Sequence, residues 1–210
     1  MNIFKTIALA ICAALITTFA SAEKRVGLNL SYHMFEGTGT ETLRQSNAVT
    51  NYDESGEVLA PSIFFEVMND QGLGFGIDYV PVAEIADGVG ADDDDAETSG
   101  NNNVSAEFVS HTTLYFIAEA SNGLYGKLGY VMADIDTTEN LATGDAYPNT
   151  DTEGLTVAIG KNFTTVNGLF VRGDVSYTDY DQVEITSTGG SKVKADVENT
   201  SVTLSIGKSF

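Results

Sequence analysis

The sequence predicts an all-β chain, about eight antiparallel strands of about ten residues wound up and down as a meander. Three observations carry this. Apolar and polar residues alternate with period two through run after run, which sets the apolar residues on one face of an extended strand. Three short turns each end in Gly-Leu, at Gly72-Leu73, Gly123-Leu124 and Gly168-Leu169. On the opposite side of the meander, the connections are long and acidic.

The chain opens on a targeting segment. Lys5 precedes an apolar run from Ile7 to Phe19, and Ala20-Ser21-Ala22 is a small-residue cleavage pattern, so residues 1–22 are read as a signal peptide and 23–210 as one β-barrel domain. The run is too short for a permanent membrane-spanning helix. Cys12, the only cysteine, lies inside it, and a lipoprotein reading fails on Ile11, where a small residue is expected. The processed chain then has no thiol for a disulfide or a cysteine-bound metal. The 210 residues carry 10 basic and 30 acidic side chains, a formal charge of -20. Such an excess speaks against nucleic acid and anionic lipid headgroups as direct electrostatic partners, because each phosphate contact needs a Lys or Arg.

From Val26 to Met34 the alternation is unbroken, with Val26, Leu28, Leu30, Tyr32 and Met34 on one face. A polar loop is expected from Glu36 to Glu57. The next two runs share a short turn ending at Gly72. A three-residue loop with Gly in the left-handed conformation pairs Val67 with Phe75, Phe65 with Ile77 and Ile63 with Tyr79, so the apolar faces coincide. The same device at Ser121-Asn122-Gly123 pairs Phe116 with Leu128 and Leu114 with Tyr130. A third hairpin turns through Thr164 to Gly168. TVAIGKNF from Thr156 closely matches TLSIGKSF from Thr203, a hairpin-level repeat. If Gly189-Gly190 forms a two-residue turn, the last hairpin sets Tyr177 opposite Val202, Val175 opposite Leu204, Gly173 opposite Ile206 and Leu169 opposite Phe210, with no bulge. Asp181 to Asp196 then forms a polar two-stranded extension.

Alternation does not say whether the apolar face points in or out. The other face decides. It carries Asn29, His33, Glu66, Asp78, Glu119, Lys127, Arg172, Asp174 and many Gly and Ser, which suits a small polar barrel interior. Tyr32, Tyr79, Tyr130 and Tyr177 then form one aromatic girdle on the outside, and Phe163 and Phe210 a second. The expected fold is an eight-stranded antiparallel transmembrane β-barrel with an up-and-down meander.

The closing strand, TSVTLSIGKSF, ends on an aromatic residue with Val202, Leu204, Ile206 and Phe210 on one face. It resembles the closing strand of bacterial outer-membrane β-barrels, and the processed chain as a whole resembles the small barrels of the OmpX, OmpA-transmembrane and opacity-protein type. Lys208 departs from that pattern, standing where the family has an aromatic or apolar residue. The resemblance implies a bacterial outer-membrane location with both termini periplasmic. It also implies outer-membrane lipids, lipopolysaccharide and the barrel-assembly machinery as partners, the last through the C-terminal strand. No periplasmic wall-binding domain is expected after Phe210. The implied role is structural and adhesive, through long acidic surface loops, with the Asp181 to Asp196 hairpin a candidate for pairing its edge with a partner strand. The alternative is a narrow channel for cations or small hydrophobes, as in OmpW-like barrels.

Candidates for chemistry are few. Glu66, Asp78, Glu119, Lys127, Arg172 and Asp174 read as a structural ion network, with Lys127 in diagonal reach of Glu119, since buried charges must be paired. His33 and His111 have no metal-ligand spacing around them. Ser110-His111 invites comparison with barrel lipases that remodel lipid A, yet adjacent strand residues face opposite ways and cannot share a proton. The sequence therefore reads as non-enzymatic, with no cofactor. The run Asp92-Asp93-Asp94-Asp95 followed by Glu97 lacks the ligand order of a calcium loop, but loose divalent-cation bridging to lipopolysaccharide is an expectation from its charge density.

Overall fold

The computed structural model describes residues 22–44, 46–81, 83–93, 100–141, 144–165 and 167–210. Residues 1–21 of the expected signal peptide (1–22) and Asp94, Asp95 and Glu97 of the acidic run lie outside the described residues. Alternating residues become strands β1 (Glu23–Thr42), β2 (Val49–Met68), β3 (Leu73–Val80), β4 (Ala83–Asp93), β5 (Gly100–Glu119), β6 (Leu124–Asn140), β7 (Thr150–Thr164), β8 (Leu169–Tyr180), β9 (Val183–Thr186) and β10 (Lys192–Ser209). All pairings are antiparallel. The ring runs β1-β2-β3-β5-β6-β7-β8-β10 and closes from β10 onto β1, so eight strands form the wall. β4 pairs β5 above β3, and β9 pairs β10 above β8. No ladder joins β4 to β2 among the described residues, leaving a seam above Ile63.

The short turns repeat one geometry. Asn69, Ala120 and Thr165 donate their N–H groups to Leu73, Leu124 and Leu169 at 2.8, 2.8 and 2.7 Å, across glycines with φ of 76°, 81° and 74°. Only glycine takes that left-handed conformation without strain. Each glycine carbonyl then accepts an N–H from the next hairpin: Gly72 from Glu119, Gly123 from Asn162, Gly168 from Ser209. The turns are thereby tied to one another around the rim.

Registers at the first two short turns match the sequence reading, including Val67 with Phe75 and Phe116 with Leu128. Two expectations are corrected. The last hairpin places Tyr177 opposite Thr200, Val175 opposite Val202, Gly173 opposite Leu204 and Leu169 opposite Lys208, two residues from the expected register. Its turn spans 187–191, closed by Ser187 N–H to Ser191 O at 2.8 Å, and one extra residue sits between β8 and β9. Each slip alone would flip the faces; together they restore them. The expected loop from Glu36 to Glu57 is instead ladder, with β1 and β2 paired up to Thr42 and Val49 and β10 paired to β1 up to Lys192. In the predicted extension, β10 is thus already paired on both edges, and only the short β9 has an outer edge.

The outward face is apolar and exposed. Leu204, Ile159 and Leu128 are 64%, 62% and 58% accessible, and Phe163 and Phe210 stand exposed near the short turns. Tyr32, Tyr79, Tyr130 and Tyr177 form a tier at the other margin of this belt. Three of these phenols donate to a glutamate on the neighbouring strand, Tyr32 to Glu57, Tyr130 to Glu153 and Tyr177 to Glu198. Inside, large rings lie against glycines. Phe64 packs on Gly27, Tyr115 on Gly76, Tyr125 on Gly160 and Phe170 on Gly207, where any side chain would collide with the ring. That device fills a narrow barrel with aromatic bulk.

Candidate functional site

The barrel interior is a stack of layers, and its chemistry sits in the middle. Arg172 on β8 and Glu66 on β2 meet across the lumen, Nη1 to Oε1 at 2.7 Å, with side chains 1% and 0% exposed. Tyr115 donates to the same Glu66 oxygen at 2.7 Å. The guanidinium lies over the Phe64 ring at 4.2 Å and is flanked by Tyr125 and Phe170. Such a charge is held by an opposite charge, a phenol and ring faces in place of water. Beside it, Lys127 Nζ reaches Asp174 at 3.0 Å, and Tyr125 donates to that carboxylate at 2.6 Å.

Four predicted residues thus come together: Glu66, Lys127, Arg172 and Asp174. Asp78 lies alongside, accepting from Ser62 at 3.0 Å and from Asn29. Glu119 does not join them. It binds Arg25 at 2.6 Å and Asn162 at 3.2 Å nearer the short turns, which corrects the expected Lys127–Glu119 contact. The register does pair Glu119 with Tyr125. Lys127 instead finds a stronger partner in Asp174 across the lumen, a neighbour that pairing along one hairpin does not reveal. Tyr115, Tyr125 and Arg25 were missed as members, and Asn29 was placed on the polar face but not in the network. Parity was the available signal: Tyr115 and Tyr125 sit on the polar face, opposite in sense to Tyr130.

Above the ion layer is a cavity of ≈ 90 Å³, lined among others by Ser31, His33, Asp78, His111, Lys127 and Asn199. His33 accepts from Asn199 at 3.0 Å and stacks on Phe35; His111 Nε2 is 3.0 Å from the Tyr180 hydroxyl. Ser110 faces away, donating to Asp134 at 2.6 Å. Serine and histidine therefore do not form a catalytic pair. No group of three or more His, Cys, Asp or Glu suited to a metal occurs among the described residues. Over the cavity lies an apolar layer of Phe35, Val131, Ala133 and Tyr180, with Val58, Ile135 and Val197 packed against it.

The tall end beyond this layer is ordered by side chains. Tyr147 donates to Glu41 at 2.8 Å, Arg44 reaches Gly189 O at 2.9 Å and Asp145 at 3.7 Å, and Tyr52 donates to Lys194 O at 3.2 Å. Burial, and then the Glu41 carboxylate, hold the Tyr147 phenol well above its ordinary value; burial likewise raises Tyr52.

Solved structures share this architecture. The outer membrane protein OprG from Pseudomonas aeruginosa superimposes with a TM-score of 0.60 at 14% identity, over 90% of this chain and 96% of that one. The outer membrane protease OmpT from Escherichia coli does so with a TM-score of 0.52 at 9% identity, over 90% and 97%. No family model matches the sequence, and no curated protein matches it. The chain has the fold of the outer-membrane β-barrels, as its closing strand led one to expect; identities this low carry the fold and no activity.

Proposed function

We propose that this protein resides in a bacterial outer membrane with both termini periplasmic, strengthens the envelope, and presents its tall acidic end to partners outside the cell without acting as an enzyme. One observation carries the reading: the lumen is sealed twice, by the buried Glu66–Arg172 layer and by the Phe35–Tyr180 layer. A protein built to conduct would not fill its bore with desolvated ion pairs and rings. The outward belt supplies the membrane-spanning surface, and the Tyr–Glu tier marks its outer boundary. The exposed carboxylates of the tall end suit divalent-cation bridging to lipopolysaccharide, and the C-terminal strand suits recognition by the assembly machinery.

Planar-bilayer recording of the refolded barrel tests this. Silence at physiological salt is expected; steady cation-selective steps would replace the scaffold reading with a channel. A second reading, passage of small hydrophobes through the wall, is favoured by the seam between β2 and β4, where Val58, Ala60 and Val80 pack next to the cavity. Uptake of an apolar solute into cells, abolished by Ala60→Trp, would support it over the scaffold.

A further inference from the structure

The formal charge of -20 conceals a segregation on the outer surface. Carboxylates crowd the tyrosine margin of the apolar belt, whereas the short-turn margin carries lysines. The repeat explains two of them. IGKNF ends at Phe163 and IGKSF at Phe210, and in each the residue after the lysine bonds to the glycine carbonyl of the adjacent turn, Asn162 to Gly123 and Ser209 to Gly168, both at 2.8 Å. Lys161 and Lys208 therefore occupy equivalent outward positions at the rim, with β8 between their strands. Each ammonium lies over the phenylalanine two residues on, at 5.8 and 5.6 Å. Lys24 joins them, because its backbone pairs with Phe210 through bonds of 3.2 and 2.9 Å. Among the described residues, the acidic side chains at this end are Glu23 and Glu119, both bound by Arg25, and Asp70 in the turn after β2.

A second feature adjoins the lysines. Where Ala118 and Gly126 leave little side chain, the outer wall dips into an apolar groove of ≈ 420 Å³ flanked by Leu73, Leu124 and Ile159. Lys161 pairs directly with Leu124, at the lip of the groove. An apolar channel on the wall with an ammonium at its rim matches an acyl chain joined to a phosphate. We propose that this margin is a binding site for an anionic phospholipid of phosphatidylglycerol type. One acyl chain lies in the groove, the phosphate sits at Lys161, and Lys208 and Lys24 extend the basic surface to neighbouring headgroups. Lysine stems lie along the hydrocarbon while their ammonium groups reach the headgroup layer. The unfavourable overall charge does not prevent this, since the acidic margin stands across the bilayer, well beyond a Debye length of about 8 Å.

The inference rests on the membrane-spanning reading above. The test is electron spin resonance of spin-labelled phosphatidylglycerol and phosphatidylcholine in vesicles holding the refolded full chain. Wild type is expected to immobilise phosphatidylglycerol over phosphatidylcholine several-fold, about fivefold for each lysine fully engaged. K24Q/K161Q/K208Q is expected to bring the two lipids to parity, and K24R/K161R/K208R to keep the preference. Ala118→Leu, which fills the groove at unchanged charge, is expected to reduce immobilisation of both lipids. Equal immobilisation by wild type, or a preference that survives the glutamine variant, overturns the site. Failure to insert into either vesicle, read as loss of the heat-modifiable gel band, would overturn the membrane reading itself.

Discussion

Removing one partner of the Glu66–Arg172 pair should destabilise the barrel far more than removing both. The two side chains are 0% and 1% exposed and 2.7 Å apart. Glu66→Leu strands a guanidinium against Phe64, Tyr125 and Phe170, and Arg172→Met strands a carboxylate; each should cost about 3–5 kcal/mol. The double variant E66L/R172M replaces the pair with apolar bulk and leaves chiefly the Tyr115 hydroxyl without its acceptor, a loss of about 1–3 kcal/mol. It should therefore fall short of the sum of the singles by about 3 kcal/mol or more. The chain has no tryptophan. Urea unfolding in lipid vesicles is accordingly followed by far-ultraviolet circular dichroism and by heat-modifiable gel mobility. Singles within about 1 kcal/mol of wild type, or a strictly additive double, would refute the claim that this pair is a desolvated unit.

Gly76→Val drives a side chain into the Tyr115 ring and should cost about 1–3 kcal/mol, while Gly126→Ala, whose added carbon has only Ala158 O nearby at 3.7 Å, should stay within about 0.5 kcal/mol. The same urea titration separates the two. At the tall end, the Tyr147 phenol is held protonated by burial and Glu41, so the stability this gives is present below about pH 10 and is lost as pH rises through the higher folded value. Absorbance at 295 nm should show a late phenol wave smaller by one tyrosine in Tyr147→Phe than in wild type; late waves of equal amplitude in the two proteins would contradict this. Because the lumen is sealed twice, F35A/Y180A alone should remain silent in planar bilayers; conductance from that variant would mean the ion layer does not close the bore.

Fold and face assignment were legible because both depend on parity, which the residues display one by one. The last hairpin shows the limit of that signal. A register two residues away keeps every apolar face aligned, so Val175 opposite Val202 and Val175 opposite Leu204 look equally good in sequence. What separates them is backbone geometry at 181–182 and 187–191, where no apolar pattern exists. The Glu36 to Glu57 segment misled for a related reason: polar on both faces, it reads as loop, yet residues 36–42 are laddered to β10 and β2 on either side and residues 49–57 to β1. Within the lumen, sequence identified the charged residues except Arg25, but not their partners. Lys127 could reach Glu119 by diagonal pairing, whereas its ladder-independent route to Asp174 depends on the curvature of the closed wall. Net charge was the least informative quantity, since it averages over two margins of opposite sign.

The central claim is that hydrocarbon covers the apolar side of every strand. It is tested most directly by spin labels placed in turn at Thr203, Leu204 and Lys194 of the barrel in lipid vesicles. Label at Leu204, 64% exposed on the outer face, should collide freely with oxygen and hardly with a water-soluble nickel chelate; label at Lys194, above the belt, should show the reverse; label at Thr203, buried in the lumen, should be shielded from both. Strong nickel broadening at Leu204, or a freely soluble monomer needing no lipid or detergent, would contradict it.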